Sequence, residues 1–171
     1  EAIGLALPGS AGTPAPIEAR DKWAEQSGEA VMALLAAGVR PRDIVTRKSL
    51  ENAARVVAAS GGSTNGALHL PAIAHECGID FDLHEVARIF RETPYIGDLK
   101  PAGRYVMKDL ADVGGVPLLM KALLDGGYLH GECITVTGRT IAQNLADYPW
   151  NPNQVVVRPT SKPITSWGGV V

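Results

Sequence analysis

The sequence SGGSTNGALHLPAIA occupies residues 60–74, and it decides how the surrounding chain is organised. Gly61 and Gly62 allow a sharp turn of the backbone, because glycine reaches positive φ angles without steric cost. The residues from Leu68 to Ile73 show no clearly polar face, so we expect this segment to be buried. Pro71 lies within it and predicts a kink or a late helix start, since proline lacks the N–H that a helix interior uses. The stretch therefore predicts a glycine turn that leads into a buried segment.

Helical periodicity precedes this stretch. A first long helix is expected from about Ile17 to Ala37, with Gly38 at its end, where left-handed backbone geometry is needed. A second helix is expected to follow Thr46. The apolar faces of these two helices contain Trp23, Ala30, Val31, Leu34 and Leu35 in the first, and Leu50, Ala53, Ala54 and Val57 in the second.

The sequence also predicts a helix start at Asp82. Glu85 follows three residues later, as in a capping box, in which side chains satisfy the free N–H groups of a helix start. Phe81 and Val86 occupy the two positions of a hydrophobic staple. We therefore predict a helix over Asp82–Phe90 with Asp82 at its N-cap.

The remaining elements follow from shorter patterns. Helices are predicted at Met107–Val113, at Pro117–Asp125 and at Thr140–Ala146, the first two closed by glycines. The run Cys133–Thr137 favours a strand. Four prolines and little periodicity between residues 148 and 167 predict a linker or an extended crossing between domains.

Composition excludes several classes of protein. The 171 residues are 46 % hydrophobic, which is enough for one domain with a core. A net charge of −2 gives no electrostatic reason to expect nucleic acid or an anionic membrane as partner. Cys77 and Cys133 form no paired motif, so we expect a reduced, cytoplasmic compartment. The chain opens on Glu1 without an initiator Met, and we expect both ends to continue into a longer protein.

The glycine loop is the strongest candidate for a binding site. N–H groups at a helix start favour a carboxylate or a phosphate, and Ser63, Thr64 and Asn65 add hydrogen-bonding side chains. The loop is not a Walker A motif, because no Lys-Ser/Thr pair follows the glycines. An ordinary glycine turn with a capping Ser or Thr is the alternative, and the residues alone leave both interpretations open.

The histidines form no recognisable metal site. His69 and His75 fall on different faces of a straight helix and lack the spacing of a zinc protease motif. His84 lies in the first turn of a capped helix and is expected to be solvated, whereas His130 has no obvious partner. A surface or hydrogen-bonded role is the simpler interpretation for His69 and His75.

Two further features each have a simple structural explanation. Asp98 and Lys100 form a possible charge pair in a loop rich in glycine and proline, where functional residues often occur. A surface ion pair is the commoner explanation. Cys133 is most simply a small buried hydrophobic residue.

Read together, five segments resemble the dihydroxy-acid and sugar-acid dehydratase family. They are Glu1–Pro16, Ser60–Ala74, Thr93–Asp109, Gly114–Asn144 and Val157–Val171. Within them SGGSTN, DLKPAGRY and TVTGRT occur in the order and spacing of the family, and this combination is more specific than any one motif.

The resemblance implies a dehydration reaction. In the family a base removes the proton beside a carboxylate, an iron–sulfur cluster acts as Lewis acid on the departing hydroxyl, and Mg²⁺ holds the substrate. The Cys-Asp-Lys and Thr-Asp-Gly-Arg-Phe-Ser-Gly motifs that carry metal ligands and the catalytic serine are absent here. Cys77 and Cys133 match no cluster position, so we expect no metal ligand and no known catalytic residue in this chain. The substrate-binding residues that the match carries over are Gly61, Gly62, Ser63, Thr64 and Asn65.

The resemblance also implies an architecture. Residues 1–147 would form the second half of a helix-rich α/β N-terminal domain, and residues 148–171 the crossing into a β-rich C-terminal domain. Such a half-domain should leave apolar surface for another copy or the rest of the chain to cover, so a homo-oligomer is expected.

Three functions are carried forward from the sequence. The first is dehydration of 2,3-dihydroxy-3-methyl acids to 2-keto acids in branched-chain amino-acid synthesis, by the intact protein and not by this chain alone. The second is dehydration of an aldonate or phosphogluconate by a sugar-acid dehydratase of the same family. The third, from another class, is a non-catalytic anion-binding or assembly module.

Overall fold

The computed structural model describes residues 1–16, 18–146, 148 and 150–170. In these residues the chain forms eight α-helices, and its β structure consists of isolated bridges between single residue pairs. The helix-rich architecture expected from the sequence is confirmed, whereas the described residues contain no sheet. The helices are α1 (Ala19–Ala36), α2 (Pro41–Ile44), α3 (Arg47–Ser60), α4 (Asn65–Glu76), α5 (Leu83–Glu92), α6 (Met107–Val113), α7 (Gly115–Asp125) and α8 (Ile141–Leu145).

Helix α3 joins two hydrophobic clusters. One cluster contains Leu50, Ala54 and Ala58 of α3 with buried residues of α4 and α5. The other contains Ala59 of α3 with buried residues of α6, α7 and α8. The helix predicted after Thr46 is confirmed, and the Thr46 side chain accepts a hydrogen bond from the Ser49 N–H at 3.2 Å. Because both clusters share α3, its position sets that of the loops at its end.

Helix α1 differs from the others because none of its residues is buried. Two residues of the predicted apolar face, Val31 and Leu35, are 62 % and 71 % exposed. Ile17, the predicted first residue, lies outside the described residues. Gly38 has a φ angle of 69° just beyond the helix, as expected for its end. The expected uncovered apolar surface is therefore present on α1.

Helix α4 contains Pro71 in its interior. It begins at Asn65 and runs through Pro71, so a late start at the proline is wrong. Leu70 and Ala74 are buried, whereas Leu68 is 68 % exposed. The expectation of a fully buried segment holds for one face only, because α4 packs against α3 and α5 from one side.

The predicted start of α5 is confirmed. The Asp82 carboxylate accepts a hydrogen bond of 2.8 Å from the Glu85 N–H, and Phe81 and Val86 are both buried in the α3–α5 cluster. The Glu85 carboxylate does not take the capping-box position but pairs with Arg47 at 2.8 Å and also with Arg88. The cap and the staple are therefore formed, and the charge of Glu85 links α5 to α3.

The segment Cys133–Thr137 is not a strand, contrary to the sequence prediction. The chain reverses at Gly138, with a φ angle of 73°, and the Thr135 N–H donates to the Arg139 carbonyl at 3.0 Å. A single bridge joins Ile134 to Thr140. The segment turns back on itself after so few residues that no neighbouring strand pairs with it. Its β-branched residues alone therefore do not make it a strand.

The other predicted elements are close to those observed. Helices α6 and α8 lie where predicted, and α7 begins at Gly115, two residues before the predicted Pro117. Residues 154–168 run across the helical body, where the Asp98 N–H donates to the Val156 carbonyl and Val157 is buried. The division at residues 147 and 148 stays a prediction. Within the described part of the chain, no helix has both the length and the apolarity needed to cross a membrane.

The N-cap at Asp82 makes a quantitative prediction about stability. Asp82→Ala should lower the free energy of unfolding by about 1 kcal/mol, because the Glu85 N–H loses its acceptor. Urea denaturation measures this change. Asp80→Ala is the control, since Asp80 is exposed and contacts Arg47 through its backbone carbonyl. An equal loss of unfolding free energy in the two variants would contradict a stabilising role of the Asp82 cap.

The end of α3 makes a second prediction. Gly61→Ala should destabilise the protein by more than about 1–2 kcal/mol, because φ is 64° and an added Cβ would lie 3.0 Å from the Tyr95 ring. Gly78→Ala should lower the free energy of unfolding only by the cost of placing an alanine at positive φ, since φ is 69° but nothing lies within 4 Å of the added Cβ. Gly28→Ala in exposed α1 should instead stabilise by up to about 1 kcal/mol. A Gly61→Ala loss no larger than that of Gly78→Ala would contradict the tight contact with Tyr95.

Candidate functional site

The two glycines of the loop close helix α3. Gly61 adopts left-handed geometry with φ 64° and ψ 43°. The Gly62 N–H donates to the Val57 carbonyl at 2.9 Å, and the Gly61 N–H donates to the Ala58 carbonyl at 3.4 Å. This pair of bonds is a Schellman motif, the common glycine-dependent ending of a helix. Neither glycine N–H group is therefore free for a ligand.

The capacity to bind an anion lies instead in the next three residues. Ser63, Thr64 and Asn65 are exposed, and α4 begins at Asn65. The Ser63 hydroxyl accepts from the Asn65 N–H at 3.2 Å. Among the described residues, the N–H groups of Ser63 and Thr64 donate to no protein acceptor. They lie before the first turn of a twelve-residue helix, whose partial positive charge favours an anion.

A second loop lies against the end of α3. The Ala59 carbonyl accepts hydrogen bonds of 2.9 Å from both the Ile96 and the Gly97 N–H groups. A Cβ on Gly97 would lie 3.3 Å from the Ser60 Cα, so backbone packs directly on backbone here. The structure therefore brings together two of the three sequence motifs, the glycine loop and the loop that begins at Asp98.

The buried carboxylate of Asp98 shapes this second loop. It is 7 % exposed and pairs with Arg104, accepting from Nε at 2.7 Å and from the backbone N–H at 3.0 Å. The charge pair suggested by sequence, Asp98 with Lys100, is wrong. Gly103 allows the loop to close, because a Cβ there would collide with the Asp98 carbonyl carbon. The pair with Arg104 was not predicted, although Arg104 lies in the same quoted motif.

Two cavities flank Gly61. One, of about 220 Å³, is lined by Tyr95, Trp167 and Val170. The Tyr95 hydroxyl is buried with no partner among the described residues, and burial is the main cause that raises the pKa of Tyr95. The other, of about 170 Å³, is bounded by Gly61, Gly62 and Lys100 and otherwise mainly by apolar side chains. We call it the Lys100 cavity; no sequence pattern pointed to either cavity, because their walls come from distant segments.

The third motif, TVTGRT, lies elsewhere. Thr135 is buried and accepts a hydrogen bond from Asn144 Nδ2 at 2.8 Å, and Thr137 donates to Asn144 Oδ1 at 3.0 Å. The Val136 N–H donates to the Gly4 carbonyl at 2.8 Å, which ties this turn to the start of the chain. The motif therefore forms a structural network and does not border the glycine loop.

The histidines divide into exposed and paired groups. His69, His75 and His84 are exposed, as expected for surface residues. His130 does have a partner, contrary to the sequence analysis, because its Nε2 lies 2.7 Å from Glu51 Oε2. The buried Asn52 also holds the His130 backbone, accepting from its N–H at 2.8 Å and donating to its carbonyl at 3.1 Å. These contacts span nearly eighty residues, so no local pattern could predict them.

Within the described residues, neither cysteine belongs to a cluster of side chains that could hold a metal ion. Cys133 is buried as expected, and burial is the main cause that raises the pKa of its thiol, which disfavours the thiolate that metals bind. Cys77 is half-buried at the end of α4. In the part of the chain that the structure describes, no three His, Cys, Asp or Glu residues are placed to hold a metal ion. These residues therefore do not fit an iron–sulfur cluster or a carboxylate-bound Mg²⁺.

Comparison with known proteins identifies close relatives of this chain. Dihydroxy-acid dehydratase 2 of Bradyrhizobium diazoefficiens is 71 % identical over 171 residues, covering 100 % of this chain and 30 % of that protein. Dihydroxy-acid dehydratases of Parvibaculum lavamentivorans and Pelagibacter ubique are 69 % and 64 % identical over the same length, and the chain covers 30 % of each. The chain thus spans about a third of the length of these relatives.

The same comparison gives a family assignment. The profile of the family described as "Dihydroxy-acid/6-phosphogluconate dehydratase N-terminal" matches residues 1–144. The chain therefore belongs to the dihydroxy-acid/6-phosphogluconate dehydratase family and forms part of that family's N-terminal region.

Proposed function

We propose that the intact protein carrying this chain is a hydro-lyase that converts 2,3-dihydroxy-3-methyl carboxylic acids to 2-keto acids. The observation that carries the proposal is the identity of 64–71 % to several proteins named dihydroxy-acid dehydratase across the whole chain. The relatives are about three times longer, so the proposal concerns the intact protein and not this segment alone.

The proposed reaction removes one molecule of water. A base takes the proton from C2, the carbon beside the carboxylate, and the hydroxyl group leaves C3. The resulting enol carries its hydroxyl on C2 and tautomerises to the 2-keto acid. The protein must therefore hold the carboxylate still while charge develops at C2, which is a task for positioned hydrogen-bond donors.

Within this chain, we assign the binding of the carboxylate to the loop Gly61–Asn65. The N–H groups of Ser63 and Thr64, the side chain of Asn65 and the start of α4 provide donors and partial positive charge on one exposed turn. Gly61 and Gly62 contribute indirectly, because their Schellman motif fixes where α3 ends and the donors begin.

The iron–sulfur cluster and Mg²⁺ of this proposal require ligands outside the described residues. When bound, the cluster would assist loss of the hydroxyl group and Mg²⁺ would help to hold the substrate. Since the two cysteines here match neither role, we assign metal ligands, the proton-abstracting base and the catalytic serine to the remainder of the intact protein.

We also propose a cellular compartment and an assembly state for the enzyme. Two free cysteines support a reducing compartment such as the cytoplasm. The exposed apolar residues of α1 support an assembled protein, in which another part of the polypeptide or a second copy covers them.

A sugar-acid dehydratase is the second candidate, because the description of the matched family includes 6-phosphogluconate dehydratase. Kinetics of the intact protein, prepared without oxygen, separate the two. We expect 2-keto acid from 2,3-dihydroxy-3-methylbutanoate and at least about a hundredfold lower kcat/KM on an aldonate. Preference for the aldonate would establish the second candidate, and turnover of neither would favour a non-catalytic binding module. This chain by itself, incubated with iron, sulfide and Mg²⁺, should form no 2-keto acid above background.

Substitutions in the loop test its assignment. The Ser63 hydroxyl accepts from the Asn65 N–H, so its own proton remains available to a ligand. Ser63→Ala and Asn65→Ala in the intact enzyme should each lower kcat/KM about ten- to a hundredfold, because each removes a side-chain donor to a charged group. Ser27→Ala on exposed α1 is the control and should leave kcat/KM unchanged. Values within a factor of two of the wild type for both loop variants would make the loop a structural turn only.

A further inference from the structure

Lys100 is a charged side chain on a rigid loop at the edge of a cavity. The loop backbone is fixed from several sides: the Lys100 N–H donates to the Tyr105 carbonyl at 2.7 Å, and the Gly103 N–H donates to the Leu99 carbonyl at 2.7 Å. The Asp98–Arg104 pair closes the same loop. Among the described residues, the Lys100 side chain forms no ion pair, whereas Lys108 and Lys121 on neighbouring helices pair with aspartates.

The cavity beside Lys100 is mainly apolar. Its walls include Val56, Leu99, Met107, Leu110, Val116 and Leu119. Its volume is about 170 Å³, and an apolar cavity of about 150 Å³ is known to accept a molecule the size of benzene. The hydroxyl of Ser60, which also lines it, already donates to the Val56 carbonyl at 2.8 Å. The cavity therefore suits a short alkyl group with a single anionic end.

The position of the cavity links it to the glycine loop. Gly61 and Gly62 form part of its wall, directly before the donors of Ser63 and Thr64. A carboxylate has two oxygens with about four acceptor positions, so one carboxylate can accept from an ammonium group and from N–H groups together.

We propose that Lys100 binds the carboxylate of a short 2-hydroxy acid at the mouth of this cavity, and that the apolar walls receive the branched alkyl group. The inference rests on the proposed function for the choice of acid. It makes Lys100 a substrate-binding residue, and it makes the Lys100 cavity the part of the site that selects branched alkyl chains over polyhydroxylated sugar chains. Hydroxyl groups placed against these walls would lose their hydrogen bonds to water.

Binding of an acid that cannot react tests the role of Lys100. 2-Hydroxy-3-methylbutanoate lacks the 3-hydroxyl group that dehydration expels, so its Kd for the intact protein, measured by calorimetry, is independent of turnover. Lys100→Met should raise this Kd about ten- to a hundredfold, because a charge-assisted hydrogen bond is lost. Lys100→Arg should restore most of the affinity. Lys108→Met is the control, since Lys108 pairs with Asp112 at 2.6 Å, and it should bind like the wild type.

Variation of the alkyl group tests the role of the cavity. From 2-hydroxypropanoate to 2-hydroxy-3-methylbutanoate, Kd should fall about three- to fourfold for each added carbon that is buried. Val116→Phe, which fills part of the cavity, should abolish this trend, and its melting temperature shows whether it is folded. Lys100→Ser is a second variant for the charge, should Lys100→Met prove unstable.

Two results would overturn the inference: a Kd for Lys100→Met within a factor of two of the wild type, or equal Kd values for the short and the branched acid. Failure of the proposed function is distinguishable from both. A protein that binds the branched acid through Lys100 but does not dehydrate its 3-hydroxy counterpart would contradict only the proposed reaction. A dehydratase whose affinity for the branched acid does not depend on Lys100 would contradict only this inference.

Discussion

The candidate site depends on the way helix α3 ends. Ala58 and Ala59 are fully buried, and the Ala59 carbonyl, no longer needed inside the helix, accepts two N–H groups from the loop at residues 96–97. Small side chains are essential here, because a Cβ on Gly168 would lie 2.8 Å from the Ala58 Cβ. Because little side-chain volume separates them, the backbones of three distant segments meet at this helix end: residues 58–59, residues 96–97 and Gly168. An unpaired carbonyl in this position would carry a desolvation cost of about 1–3 kcal/mol.

This ending separates structural and functional roles among neighbouring residues. The glycines use their N–H groups to close α3, so they determine where the loop lies but retain no donor for a ligand. The three residues after them are exposed and carry the remaining donors. A similar division occurs in the second loop, where Asp98 and Arg104 maintain the conformation and Lys100 is presented to a cavity. In each loop, residues held by internal bonds position groups without a partner among the described residues, the N–H groups of Ser63 and Thr64 in the first loop and the Lys100 ammonium in the second.

Local signals in the sequence predicted the helices well, and the site only in part. The start of α5 could be predicted because its cap and staple lie within a few residues of one another, and the end of α1 because Gly38 is a local signal. The strand at Cys133–Thr137 was predicted wrongly, since a strand exists only if a partner lies beside it. Uncovered apolar surface was expected, but its location on α1 could not be predicted, because the apolar spacing of α1 resembles that of a packed helix.

The site required information that no single segment contains. The glycine loop was singled out from its residue types, yet its N–H groups could be assigned only when the carbonyls of Val57 and Ala58 were seen. Arg104 as the partner of Asp98, Glu51 as the partner of His130 and the walls of the Lys100 cavity all depend on contacts set by packing. Periodicity fixes which face of an element is apolar, and it does not fix which distant element that face meets.

The proposals for the glycine loop and the Lys100 loop together place one acid-binding site at the end of α3. Amide hydrogen exchange in the intact protein, with and without 2-hydroxy-3-methylbutanoate, tests it directly. We expect the acid to slow exchange of the Ser63 and Thr64 amides and of residues 98–105, and to leave the exposed turns of α1 unchanged. Slowing confined to other parts of the protein, with these two loops unaffected at saturating acid, would contradict it.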